Sequence, residues 1–362
     1  MKLTLIGGGG FRVPHMASVF QEGSRVRLDE LVLYDVDPER LATMKNVLDQ
    51  LGLTAAIGTI TTTTSLEDAV RGTDYVFSAM RVSGACGRVI DEREALNRGV
   101  LGQETVGIAG YAYAFRQIPE AMRLAEAVRD LAPEAWIMNF TNPAGIITQA
   151  MRRVFPKVVS ICDTPIGMVR RAMHLMNLDE EAVDFDYVGL NHLGWLRTMT
   201  VDGVDHLPKL LADDDLLPQM EEAKEIGANW IRALGVMPNE YLYYYYKNRE
   251  VVEHLMQGET RGEFLVRQQG AFYEGAAADP KNAGILWQRT DSERNATYMA
   301  EAREEGEERP LADVDTGGYQ RVALELIDGL TNGNPSNFQI RCPCAAPGSR
   351  RGRSCLPCGS RS

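Results

Sequence analysis

The chain has 362 residues, 44% hydrophobic and 24% charged, which excludes a disordered or fibrous protein and leaves room for two domains. A formal net charge of −12 argues against a nucleic-acid partner held by phosphate contacts. No apolar run approaches the roughly 20 residues of a membrane span, and the N-terminus carries no signal-peptide pattern. No membrane partner and a cytoplasmic location are therefore expected.

In chain order, Leu3 to Ile6 reads as a strand running into Gly7-Gly8-Gly9-Gly10. Pro14 to Gln21 reads as a helix, with proline in its first turn. Glu30 to Asp35 is the next strand. Pro38 to Leu51 is a helix with apolar residues three and four apart. Thr59 to Thr64 and Tyr75 to Met80 are strands rich in β-branched or aromatic residues. Ile118 to Leu131 is a helix, Ala135 to Phe140 a strand, Pro143 to Val154 a helix and Val158 to Cys162 a strand. This alternation predicts an α/β fold with a doubly wound parallel sheet over residues 1–165.

Beyond residue 165 the strand rhythm thins. Phe185 to Leu190 and Trp195 to Val201 form a strand pair flanking Asn191-His192. The text from Leu210 to Leu330 is mostly helical and acidic, and Gly317 to Asn334 is an amphipathic helix. A second, mostly α domain over 166–340 is expected. Residues 341–362 are different: five arginines, no acid, and Cys342, Cys344, Cys355 and Cys358. Such a tail has almost nothing to bury and reads as disordered, the product of a frameshift. The isolated Cys86 and Cys162 fit a reducing compartment.

A strand, a glycine run and a helix make a turn where backbone can approach a pyrophosphate. Asp35, ending the second strand, is placed to hold ribose hydroxyls. Cys162-Asp163 lies at a strand end, where ligands of open α/β sheets bind. One Cys and one His could hold a divalent metal with open positions, or could be a buried thiol and a core histidine.

Taken together, Gly7 to Gly10, Gly102-Gln103-Glu104-Thr105, Asn139-Phe140-Thr141-Asn142-Pro143, Cys162-Asp163-Thr164-Pro165 and Gly189-Leu190-Asn191-His192 resemble glycoside hydrolase family 4. These are NAD- and manganese-dependent 6-phospho-glucosidases. The resemblance covers roughly residues 1–338. It implies a Rossmann-type, lactate/malate dehydrogenase-like fold, truncated at the C-terminus, and a homo-oligomer (dimer or tetramer). It implies NAD held by Gly7, Gly8, Gly9, Gly10, Phe11 and Asp35, and Mn2+ (or another divalent metal) held by Cys162 and His192. Asp163 would be the acid, Glu104 an active-site carboxylate and Tyr241 the base. Asn142 and Asn191 would contact the sugar, and Arg88 the 6-phosphate. Glu240 stands where the family pattern Asn-Pro-Tyr-Leu-x-Tyr-Tyr has proline, and crowded tyrosines leave the register of the base open over 241–246.

The implied reaction is hydrolysis of 6-phospho-β-glucosides to 6-phospho-glucose and an alcohol or sugar. It proceeds by C3 oxidation, C2 deprotonation, elimination, water addition and re-reduction, an exception to two-carboxylate hydrolysis. A 6-phospho-α-glucosidase, a hydroxyacid dehydrogenase and a non-catalytic NAD-binding remnant are the alternatives.

Overall fold

The computed structural model describes residues 1–21, 24–298 and 318–333. The expected basic tail lies outside the described residues. Strands β1 (Lys2–Ile6), β2 (Glu30–Tyr34), β3 (Thr59–Thr63), β4 (Tyr75–Ser78), β5 (Trp136–Asn139) and β6 (Val158–Ser160) form one sheet in the order β3-β2-β1-β4-β5-β6. Every pairing in it is parallel. This is the strand order of a dinucleotide-binding Rossmann sheet, as expected. The inner strands are buried on both faces, so Leu3 to Ile6 and Tyr75 to Ser78 read as unbroken buried runs. The edge strand β3 is threonine-rich and largely exposed.

Caps fix the connecting helices. Asp37 accepts the Glu39 and Arg40 N–H groups at 3.0 and 3.1 Å, starting helix Pro38–Gln50. The helix expected from Pro14 runs Val13–Ser18, and the one expected from Ile118 begins at Gly107 and passes through Pro119. Helices Leu66–Val70 and Gly84–Leu96 were not anticipated.

A second sheet holds β7 (Asp184–Leu190), β8 (Leu193–Val201), β9 (Val204–Asp205) and β10 (Met237–Pro238), all antiparallel. Leu190 pairs with Leu193, so Asn191-His192 is the two-residue turn of the β7–β8 hairpin. Helix Thr164–Leu175 buries Met168, Val169, Ala172 and Met173 in the same core as Leu196 and Met199 of β8. The boundary at residue 165 separates the sheets but not the cores. Phe272, Trp287, Tyr319, Val322 and Ile327, from late helices, pack in one core with Leu3, Leu31 and Phe77 of the first sheet. Among the described residues no helix is long and apolar enough to cross a membrane.

Candidate active site

The glycine run turns tightly against β2. Gly7 and Gly8 both donate to the Tyr34 carbonyl, at 3.0 and 2.7 Å. A Cβ on Gly8 would stand 2.7 Å from Leu33 and the Tyr34 nitrogen. Asp35 Oδ2 accepts the Gly9 N–H at 3.0 Å and Oδ1 the Asp37 N–H at 3.2 Å, leaving each oxygen a lone pair. The Phe11 ring is 4% exposed and packs on Phe272 and Trp287, so it is core and not a cofactor platform. Its carbonyl accepts Trp287 Nε1–H at 2.8 Å. The N–H groups of Phe11 and Arg12 donate to no protein acceptor among the described residues. Two free donors after a glycine turn fit a dinucleotide phosphate.

A buried ion-pair array stands beside this loop. Arg88 is 8% exposed, and donates to Glu92 at 2.6 Å and to Glu104 at 2.9 Å. Arg81 also pairs with Glu104. Burial opposes ionisation of Glu104, but Arg81 and Arg88 overcome it and draw the carboxyl down to about 2. Arg88 is thus committed to carboxylates. Arg12, which lies over the Phe140 and Tyr319 rings, and Arg294 are in no salt bridge among the described residues. Burial, then Arg12 and Arg261, holds Arg294 well below the usual guanidinium range. An anion would relieve that repulsion.

Cys162 and Asp163 follow β6, at the carboxyl end of the sheet. Burial, then Asp163, pushes the Cys162 thiol up to about 12. His192 is 7% exposed, and burial draws its imidazole down to about 4 against the field of Glu104. Thr105 Oγ1 lies 2.8 Å from His192 Nδ1, leaving Nε2 for a ligand. Among the described residues no group of three His, Cys, Asp or Glu side chains gathers as a metal cage. A thiol and a neutral imidazole alone suit a divalent ion that keeps open positions for substrate oxygens and water.

The tyrosine run resolves into separate environments. The Tyr241 ring stacks on His192, centroids 3.6 Å apart and planes within 1°. Tyr243 and Tyr244 are buried in the core, Tyr245 is 45% exposed, and Tyr246 accepts Trp195 Nε1–H at 3.0 Å. Tyr241 alone stacks on His192. Burial, then Glu240, holds its phenol well above the ordinary range, while Cys162 and Glu104 also act on it. Asn142 and Asn191 are half-buried with no side-chain hydrogen bond among the described residues. Sequence reasoning did not anticipate Arg12, Arg81, Arg294 or Tyr298. The arginines stood in plain text as buried-face cations without a motif. Tyr298 ends a helical stretch with no local signature.

Comparison with known proteins completes the picture. The family described as "Family 4 glycosyl hydrolase" matches residues 2–178, and its C-terminal domain matches residues 187–344. The 6-phospho-alpha-glucosidase 1 of Lacticaseibacillus paracasei is 31% identical, covering 96% of this chain and 82% of that one. The 6-phospho-beta-glucosidase of Escherichia coli is 27% identical over 95% of this chain and 75% of that one. The 6-phospho-beta glucosidase of Thermotoga maritima, solved with manganese, NAD+ and glucose-6-phosphate, superposes with a TM-score of 0.69 at 28% identity, covering 76% of this chain and 67% of that one. The chain belongs to family 4 of the glycosyl hydrolases.

Proposed function

We propose that this chain hydrolyses 6-phospho-β-glucosides to 6-phospho-glucose, with NAD and a divalent metal, Mn2+ first, as cofactors. The observation that carries the reading is Tyr241 stacked on His192, a potential base set on a potential metal ligand. The relative from Thermotoga maritima, with its manganese, NAD+ and glucose-6-phosphate, supports the cofactors and the sugar. Gly7 to Gly10, the free N–H groups of Phe11 and Arg12, and Asp35 would hold the dinucleotide. Cys162 and His192 would hold the metal. When bound, NAD+ supplies a hydride acceptor that is restored each turnover, and the cation polarises sugar oxygens.

The chain's own residues do the rest. As a phenolate, the form that a bound cation would favour, Tyr241 takes the C2 proton, made acidic by a neighbouring carbonyl. Asp163 gives a proton to the leaving oxygen. Asn142 and Asn191, their amides uncommitted, orient the sugar hydroxyls. Arg12 and Arg294 supply the positive charge that the 6-phosphate needs, while Arg88 acts through Glu104. The α-anomer is the second reading, favoured by Asp163 after Cys162 and by the relative from Lacticaseibacillus paracasei.

The test is hydrolysis of nitrophenyl 6-phospho-α- and β-glucosides in heavy water, with and without NAD+ and Mn2+. The expected result is activity on the β substrate that requires NAD+, leaves it unreduced, and places deuterium at C2 of the product. Full activity after complete removal of NAD would overturn the mechanism. Net NADH formation with a 2-hydroxy acid would favour a dehydrogenase.

A further inference from the structure

A buried carboxyl lies one phenol away from Tyr241. Glu240 is 4% exposed, and its Oε1 accepts the Tyr298 hydroxyl at 2.7 Å. The Thr164 hydroxyl is 3.4 Å from the same oxygen. The Tyr298 hydroxyl is also 3.2 Å from the Tyr241 hydroxyl. A phenol carries one hydrogen, and Tyr298 presents it toward both oxygens, the carboxyl being the nearer. Toward Tyr241 as toward Glu240, Tyr298 is the donor, so the Tyr241 oxygen accepts. The Tyr298 hydroxyl therefore bridges the Glu240 carboxyl and the Tyr241 oxygen as their common donor.

Behind Glu240 lie more acids. Arg171 reaches Glu222 at 2.5 Å and Glu221 at 3.3 Å, and Glu225 is buried nearby. Among the described residues Arg171 pairs with Glu221 and Glu222, and its charge also reaches Glu225 and Glu240. Burial, then Glu221, pushes Glu240 up to about 8. A protonated carboxyl still presents a carbonyl oxygen, so the acceptor role survives in the neutral form. The same reasoning makes glutamine the conservative replacement and leucine the disruptive one.

We infer that Tyr298 and Glu240 are positioning residues for the Tyr241 hydroxyl, a polar strut that fixes where this oxygen meets the sugar. The inference rests on Tyr241 being the base. His192 fixes the ring by stacking from one side, and the strut fixes the hydroxyl at the ring's tip. Neither Tyr298 nor Glu240 need touch the substrate.

The experiment compares Tyr298→Phe, Glu240→Leu, Glu240→Gln and Tyr241→Phe using a nitrophenyl 6-phospho-glucoside deuterated at C2. Tyr298→Phe and Glu240→Leu should lower kcat about tenfold or more, since small misplacements of a reacting group are costly, with KM nearly unchanged. Their C2 isotope effect should rise, because proton removal becomes slower relative to other steps. Glu240→Gln should restore both. Melting temperatures taken beside kcat separate positioning from folding, with Glu240→Gln, which keeps an acceptor for the Tyr298 hydroxyl, as the control. Independently of turnover, the Cζ resonance of 13C-labelled Tyr241 should move in Glu240→Leu and stay in Glu240→Gln. Parental kcat, isotope effect and resonance in Tyr298→Phe and Glu240→Leu would overturn the strut. An active Tyr241→Phe would overturn the base assignment, and the strut with it. An inactive Tyr241→Phe beside a fully active Tyr298→Phe would leave the base standing and remove only the strut.

Discussion

At His192 the backbone takes φ +59°, a left-handed conformation that costs a side-chain-bearing residue roughly 1–2 kcal/mol. The hairpin turn holds it there, and the imidazole is thereby set between Thr105 and Tyr241. His192→Ala and His192→Gly lose the same hydrogen bond and stacking. They differ only in backbone freedom, so His192→Gly should be the more stable by about 1 kcal/mol. Thermal unfolding of the two variants measures this, and equal stability would show that the turn is not strained. Both should lose manganese activation. Cys162→Ser should also lose it, by tenfold or more in the manganese concentration required, because a hydroxyl is a poor ligand beside a thiolate (about one decade or more). Cys86 is an exposed free thiol, and Cys86→Ser should titrate with manganese like the parent.

The glycine loop makes its prediction as an element. Gly8 has no need of a positive φ, so alanine is barred there by space alone. Its Cβ would fall 2.7 Å from the β2 backbone, which cannot rotate away as a side chain can. Gly8→Ala should cost about 1–3 kcal/mol of stability and weaken NAD binding, with the loop and its free N–H groups displaced. Fluorescence titration with NADH and a melting curve check the two effects together. The strands and this loop were legible because a doubly covered parallel sheet writes itself as short, continuous apolar runs. Helix Gly84–Leu96 was not, because its buried face carries Gly87, Arg88, Asp91 and Glu92 beside Ala95 and Leu96. Inward-facing charges paired with Glu104 and Arg116 erase the apolar period that announces a helix. Helix Gly107–Leu131 was foreshortened for a different reason: Pro119 reads as a first turn, whereas it sits inside the helix. In the site, Cys162 and His192 were legible as strand-end and turn residues. The family pattern already put Tyr241 forward among the tyrosines, and the fold adds that its ring stacks on His192.

Over the whole molecule, three apolar cores form among the described residues, two that share the strands of the first sheet and one, the second core here, under the second sheet. The second core carries an electrostatic debt in Glu222, Glu225 and Glu240, whose carboxyls burial holds above their ordinary range. A carboxyl with a raised folded value binds more protons in the native state than in the unfolded chain. Stability must then fall as pH rises from the ordinary carboxylate range toward the raised value, which for Glu240 is about 8. His192 acts in the opposite direction, since burial draws it down to about 4 while an unfolded histidine is half protonated at about 6.5, but this contribution is common to the parent and Glu240→Gln. Comparing the parent with Glu240→Gln from about pH 6.5 to 8 therefore isolates Glu240, and one such group can contribute at most about 2 kcal/mol across that window. Urea unfolding at the two ends of that window should show the parent losing stability as pH rises. Glu240→Gln carries no titrating carboxyl at this position and should lose less. Equal losses in parent and variant would place the proton of this cluster on Glu225 or Glu222 instead of Glu240.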